Sequence, residues 1–120
     1  MRRAMPATLD EVRAGLKGFV AEREWAQFHT PKNLAASVAV EAGELLEQFQ
    51  WTDPSPEAVR ADPAWRGRVE DELADVALLT LLLAERLGVR LEDAMQRKMA
   101  KNAARYPAEE FRGSARKSER

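Results

Sequence analysis

The sequence predicts an all-α protein, a four-helix bundle with short connections. Three observations carry this reading. Apolar residues recur at helical spacing through most of the 120 residues, helix-start signals precede each apolar run, and no stretch alternates as a half-buried strand would. Thr8 with Glu11 reads as a capping box, in which side chains satisfy the free amides of a helix start; Leu9, Val12, Leu16, Phe19 and Val20 follow at helical spacing. Thr30-Pro31 opens a second helix, because proline at the first helical position sacrifices no needed hydrogen bond. This helix is expected from Pro31 to Gln50.

The loop Asp53-Pro54-Ser55-Pro56 leads into one short helical turn. Asp62-Pro63 opens the third helix in the manner of Thr30-Pro31; it is expected to run to Leu87, with Gly88 as its C-cap. The fourth covers Leu91 to Arg105 and stops before Pro107. Residues 1–111 are therefore expected to form one helical domain, and 112–120 a basic, mobile tail.

Composition excludes whole classes of chemistry. Nineteen basic residues against twenty acidic ones give a net charge of -1, no global field for nucleic acid or an anionic membrane. Without cysteine there is no disulfide, thiolate metal site or cysteine nucleophile, and one histidine supports neither a triad nor an imidazole cluster. No Gly-rich phosphate loop is present. Met1–Met5 begins with basic residues but lacks the apolar segment of a signal peptide, and the longest apolar stretch, Val76–Ala84, is too short to span a membrane. A cytoplasmic protein is expected. Its catalytic groups, if any, must be mainly carboxylate, basic and aromatic.

Helical spacing then sorts the acids. In the second helix, Leu34, Val38, Leu45 and Phe49 define the apolar stripe; Glu41 falls inside it, Glu44 on its edge, and Glu47 well off it. A carboxylate on a core-facing stripe is costly unless it is paired or binds a metal. In the third helix, Val69, Leu73, Val76, Thr80, Leu83 and Leu87 form the expected inner stripe. Glu72 and Asp75 lie along one edge of it with Leu79 and Arg86, while Glu70 and Asp71 point to solvent. Two E-x-x-(E/D) pairs can thus converge as four carboxylates around Mg²⁺, or Mn²⁺ in its place. Neither pair has the E-x-x-H histidine of di-iron bundles. Solvated helix faces or arginine partners are the alternative.

The fourth helix carries Lys98, Lys101 and Arg105 on one line with Asn102 beside it, and Met95, Met99 and Tyr106 on the next. A basic line suits a polyphosphate, or is simply a solvated face. Trp25, Phe28 and Trp51 sit at loop or helix-end positions, where they either stack on a base or plug the end of the bundle. Trp65 reads as core or interface, and His29 as a structural group or a hydrogen-bond partner of base or phosphate.

In order, the chain reads Glu22-Arg23-Glu24-Trp25-Ala26-Gln27-Phe28-His29, Glu41-Ala42-Gly43-Glu44-Leu45, Phe49-Gln50-Trp51, Asp71-Glu72-Leu73-Ala74-Asp75-Val76, then Lys98-Met99, Asn102 and Arg105-Tyr106-Pro107. This series resembles the MazG-like all-α nucleoside triphosphate pyrophosphohydrolases, and within them the dCTP pyrophosphatase branch. The resemblance extends from about Phe19 to Lys117. It implies that water attacks a nucleoside triphosphate to give the monophosphate and pyrophosphate. It also implies that Glu41, Glu44, Glu72 and Asp75 are magnesium ligands and that Trp25, His29 and Trp51 surround the nucleoside. Lys98, Asn102 and Tyr106 correspond to the phosphate-contacting end of the last long helix, and Arg86 to a phosphate or carboxylate partner. The family further implies a homotetramer, a dimer of dimers; the charge balance and short apolar stretches lead us to expect no membrane or stable nucleic-acid partner. Two positions depart from the animal dCTP enzymes, which carry histidine at Leu16 and tyrosine at Leu79, both near substrate; base selectivity is therefore open. A dUTP-directed or broad-range pyrophosphatase, or a non-catalytic helical adaptor, are the other readings.

Overall fold

A computed structural model describes residues 7–119; the basic segment Met1–Met5 and the terminal Arg120 lie outside the described residues. As expected, the described residues are helical and contain no strand. The elements are α1 (Leu9–Glu22), a 3-10 turn (Trp25–Phe28), α2 (Pro31–Glu47), α3 (Pro56–Arg60), α4 (Pro63–Arg86), α5 (Leu91–Arg105) and α6 (Ala108–Phe111). Residues through Leu87 form one compact unit and those from Gly88 onward a second.

The starts follow the sequence signals. Thr8, Thr30, Ser55 and Asp62 each stand at an N-cap, their side-chain oxygens accepting from the backbone N–H three residues on. The Thr8 box closes differently from the expected one: the Thr8 hydroxyl donates to Glu11 Oε1 at 3.1 Å. Gly88 follows α4 with φ +67°, a left-handed conformation that costs glycine little.

In the first unit α2 lies along α4, and α1 and α3 also pack on α4. Two ties show that α2 and α4 are antiparallel. Trp65 Nε1 donates to the Gln48 carbonyl (3.1 Å), joining the C-terminal end of α2 to the first turn of α4. Arg86 Nε donates to the His29 carbonyl (3.2 Å), joining the approach to α2 with the end of α4. Walking inward from both ties brings Glu41 about level with Leu73, between Glu72 and Asp75. Among the described residues, the buried apolar ones are Val20 of α1, Leu34 of α2, and Leu81 and Ala84 of α4, with Leu34 the most deeply enclosed.

Two details differ from the sequence expectation. α2 ends at Glu47 rather than Gln50. Gln48 and Phe49 bond to Leu45 and Leu46 in tight three-residue steps, and the Gln48 carbonyl goes to the Trp65 indole. Arg68 Nε holds the Gln48 side chain as well (3.2 Å), and the Phe49 ring leans on Trp65. The packed face of α4 is also turned from the expected stripe: Leu73 is 52% exposed and Leu87 is exposed, whereas Glu72 is half-buried. The helix directs its acidic edge, not Leu73, toward α2. Thr80, within the apolar stripe, satisfies its hydroxyl by donating to the Val76 carbonyl at 2.7 Å.

In the second unit, Arg90 pairs with Glu92 and Asp93 at the start of α5, and Tyr106 meets Phe111 edge-on at 4.9 Å. Along the basic tail, the Arg116 guanidinium lies 4.4 Å from the centre of the Phe111 ring, and Ser118 is buried. Among the described residues, no helix is long and apolar enough to cross a membrane.

The cap at α4 gives a direct stability test. Asp62→Ala removes the acceptor for the Trp65 N–H and is expected to cost about 1 kcal/mol in urea unfolding, with Asp62→Asn losing less than half of that.

Candidate metal centre

Glu41 reaches the site because the apolar residues that seat α2 on α4 flank it one turn away on either side. Leu34 is buried, and Val38 and Leu45 are half-buried, so the face between them is committed to the interface. From α4, Glu72 and Asp75 stand three residues apart and project to the same side. Glu41, Glu72 and Asp75 each offer an oxygen within 4.8 Å of the others. Glu41 Oε2 and Glu72 Oε2 are buried and accept no hydrogen bond, while Asp75 is exposed at the mouth.

Glu44 stands beside this trio. A hydrogen bond with Glu44, which requires a proton, is the leading reason that Glu41 is pushed up to about 7; burial and repulsion from Glu44, Asp75 and Glu72 follow. Glu72 is raised too, first by burial and then by repulsion from Glu44 and Asp75. No arginine or lysine ion pair reaches any of the four carboxylates among the described residues. The arginine-partnered alternative is therefore absent there. Buried carboxylate oxygens without donors, in an all-oxygen anionic set, fit a hard divalent cation.

The outer acids behave as spacing foretold. Glu47, Glu70 and Asp71 are exposed, and Glu70 pairs with Arg66 at 2.7 Å. The spacing had placed Glu44 and Glu72 on stripe edges; both are half-buried.

A cleft of about 390 Å³ lies in the same unit, between α1, the 3-10 turn and the last third of α4. Leu16, Val20, Ala26 and Leu82 give it apolar walls, and His29, Glu85 and Arg86 are among its polar groups. Glu24, at φ +53°, reverses the chain into the turn, and Gln27 Nε2 and Asn33 Nδ2 fasten it to the carbonyls of Glu24 and Phe28. Ala26 and His29, three residues apart, thereby share the cleft side. On α4, Leu82 and Arg86 continue the edge that carries Glu72, Asp75 and Leu79, roughly 10–16 Å beyond Asp75 at helical rise.

The aromatic candidates do not converge within the single chain. Trp25 is exposed and meets Phe19 edge-on at 5.6 Å, with the Arg23 guanidinium over the Phe19 ring. Trp51 is 87% exposed in the turn beyond α2. In the second unit, Lys98 and Asn102 are exposed on α5, and Tyr106, half-buried, bonds its N–H to the Asn102 carbonyl. Sequence reasoning passed over Arg13 and Glu85, which meet across α1 and α4 at 3.4 Å. Each is one ordinary charge on an amphipathic helix, and only the tertiary pairing singles them out.

The raised carboxyls set a sign for pH dependence. A carboxyl at about 7 in the fold and near 4.5 when unfolded takes up protons on folding between those values, so its contribution to stability declines as pH rises through that window. Metal-free protein is expected to lose melting temperature from pH 5 to 8 relative to Glu41→Gln, which lacks the titration. Parallel melting curves for the two proteins across that range would contradict the assignment. Mg²⁺ at pH 8 is expected to raise the melting temperature of the wild-type protein and not that of the variant.

Comparison with known proteins agrees with this geometry. The profile of the MazG-like family matches residues 36–119. The chain is 43% identical over 111 residues to dCTP pyrophosphatase 1 of Mus musculus, covering 90% of this chain and 64% of that protein. It is likewise 43% identical to dCTP pyrophosphatase 1 of Homo sapiens, covering 92% and 65%. The chain therefore spans just under two thirds of the length of these curated relatives. The crystal structure of a pyrophosphatase from Archaeoglobus fulgidus superposes with a TM-score of 0.75 at 38% identity, covering 89% of this chain and 99% of that one. With the acidic pairs on α2 and α4 inside the matched region, the chain belongs to the MazG-like family.

Proposed function

We propose that this protein is a Mg²⁺-dependent nucleoside triphosphate pyrophosphohydrolase that cleaves dCTP or related pyrimidine deoxynucleotides to the monophosphate and pyrophosphate. One observation carries the reading: carboxylates from two helices meet with buried oxygens that have no donor. The names of the relatives, dCTP pyrophosphatase 1 and a pyrophosphatase, support the same reaction. The role proposed for that reaction is nucleotide-pool house-cleaning in the cytoplasm.

Glu41, Glu72 and Asp75, with Glu44 beside them, would hold the ion. When bound, a divalent cation neutralises charge at the phosphate chain and lowers the pKa of an attached water. Glu44, beside the three-oxygen set, would take the attacking water's proton. By the family likeness, Lys98 would supply positive charge to the pyrophosphate leaving group, and Arg86 would serve as a phosphate or carboxylate partner. The apolar cleft, with His29 at its rim, receives the nucleoside. It shares an edge of α4 with the acids, at a distance that a triphosphate and sugar can bridge. Trp25 and Trp51 lie open to cover the base when subunits assemble.

That assembly is the second part of the proposal, a homotetramer built as a dimer of dimers. Val40 and Leu46 of α2 and Leu73 of α4 are each more than half exposed, a large apolar area for a lone chain.

Incubation with a panel of nucleoside triphosphates and Mg²⁺ tests the reaction: monophosphate and pyrophosphate are expected, dCTP turning over fastest. Release of inorganic phosphate instead would mark another hydrolase, and no product at all a non-catalytic module. Glu41→Gln is expected to lower kcat by at least ~10²-fold with the fold intact by circular dichroism. Trp51→Ala is expected to weaken nucleotide binding more than binding of inorganic triphosphate, by the ~1–3 kcal/mol of one stacked base.

A further inference from the structure

We infer that Glu85, held in place by Arg13, selects nucleotides whose base carries an exocyclic amino group. This inference rests on the proposed reaction and on the cleft being its nucleoside site. The cleft walls are apolar, so they grip a base face without distinguishing one pyrimidine from another. Discrimination must come from the few polar groups at the edge. Most of these are cations or donors: Arg13, Lys17 and Arg86 line the cleft with Glu85. Glu85 is the sole carboxylate among the lining residues, and an ionised carboxylate only accepts hydrogen bonds.

Its geometry is set by a neighbour in the cleft wall. The Arg13 side chain is only 14% exposed and is held at 2.6 Å by Asp10 one turn earlier on α1. Its Nε faces Glu85 Oε1 at 3.4 Å. Asp10, Arg13 and Glu85 thus form a chain of alternating charge that crosses from α1 to α4 and ends at the cleft. Glu85 is 40% exposed on the side chain, and Oε1 faces Arg13, leaving carboxylate surface for a ligand. Arg86, the next residue, is occupied with the His29 carbonyl, so it does not compete for Glu85.

A base amino group pointing at Glu85 gains a charge-assisted hydrogen bond. A carbonyl in the same place, as in uracil or thymine, brings two acceptors together and leaves both without a donor. Cytosine is therefore favoured over uracil by the carboxylate itself. Leu16 contributes apolar surface only and does not reverse that order.

The test compares dCTP with dUTP as substrates, and dCMP with dUMP as ligands in titration calorimetry without metal. Wild-type protein is expected to favour the cytosine member of each pair, by roughly 10- to 100-fold in kcat/KM, the range of a hydrogen bond to a charged group. Glu85→Gln, whose amide can also donate to a carbonyl, is expected to shrink both preferences about tenfold. Its binding of inorganic triphosphate, which carries no base, should stay within twofold of wild type. Arg13→Lys, which keeps the charge but loses the fixed fork, is expected to shrink the preference partly, with the melting temperature retained. Unaltered cytosine preference in Glu85→Gln, with wild-type pyrophosphate release intact, would overturn this inference and leave the reaction standing. A wild-type protein that releases no pyrophosphate from any nucleotide but still separates dCMP from dUMP through Glu85 would overturn the reaction alone.

Discussion

Like charges crowded between two helices govern this molecule. Glu41 enters from α2, Glu72 and Asp75 from α4, and Glu44 presses on them from the side. Left alone, such groups separate into water. Here they stay because the apolar residues around them, Leu34 and Val38 on one helix and Val76 on the other, are worth more together than the repulsion costs. The upward displacement of Glu41 and Glu72 reflects that compromise: the fold tolerates the acids partly by favouring their protonated forms.

The remaining architecture of the first unit serves to hold that juxtaposition. α4 is the longest helix and takes α1, α2 and α3 against it. The 3-10 turn is threaded through a left-handed Glu24 and pinned to α4 by Arg86, which closes one side of the cleft. The acids and the cleft then occupy successive stretches of one helix edge, so a linear ligand with a charged end and a flat end has a single natural direction along α4.

Much of this was legible in the sequence, because capping and periodicity are local. Thr8, Thr30 and Asp62 marked helix starts that the structure reproduces, and the phase of Glu41 within Leu34, Val38 and Leu45 singled out a buried acid before any tertiary contact was known. The same phase argument failed for Leu73, which periodicity assigns to the core. A helix packed on several neighbours has no single inward direction, and α4 spends its acidic edge on α2. The end of α2 was misplaced by three residues because an indole at Trp65 captures the Gln48 carbonyl, an event seventeen residues away in sequence. Arg13 and Glu85 were invisible for a like reason: neither is unusual until α1 is laid across α4. The grouping of Trp25, His29 and Trp51 came from family likeness rather than spacing, and within one chain these side chains face different surroundings.

The indole of Trp65 has a wider consequence. With Gln48 clamped at one end and His29 at the other, α2 is barred from sliding along α4. A shift of one residue would swing Glu41 through about 100° and scatter the oxygens. Alignment is thus set by hydrogen bonds to two backbone carbonyls far from the acids, one from an indole and one from a guanidinium. The ordering entropy of the two helices is spent in folding, so a ligand of the acidic set would not have to supply it.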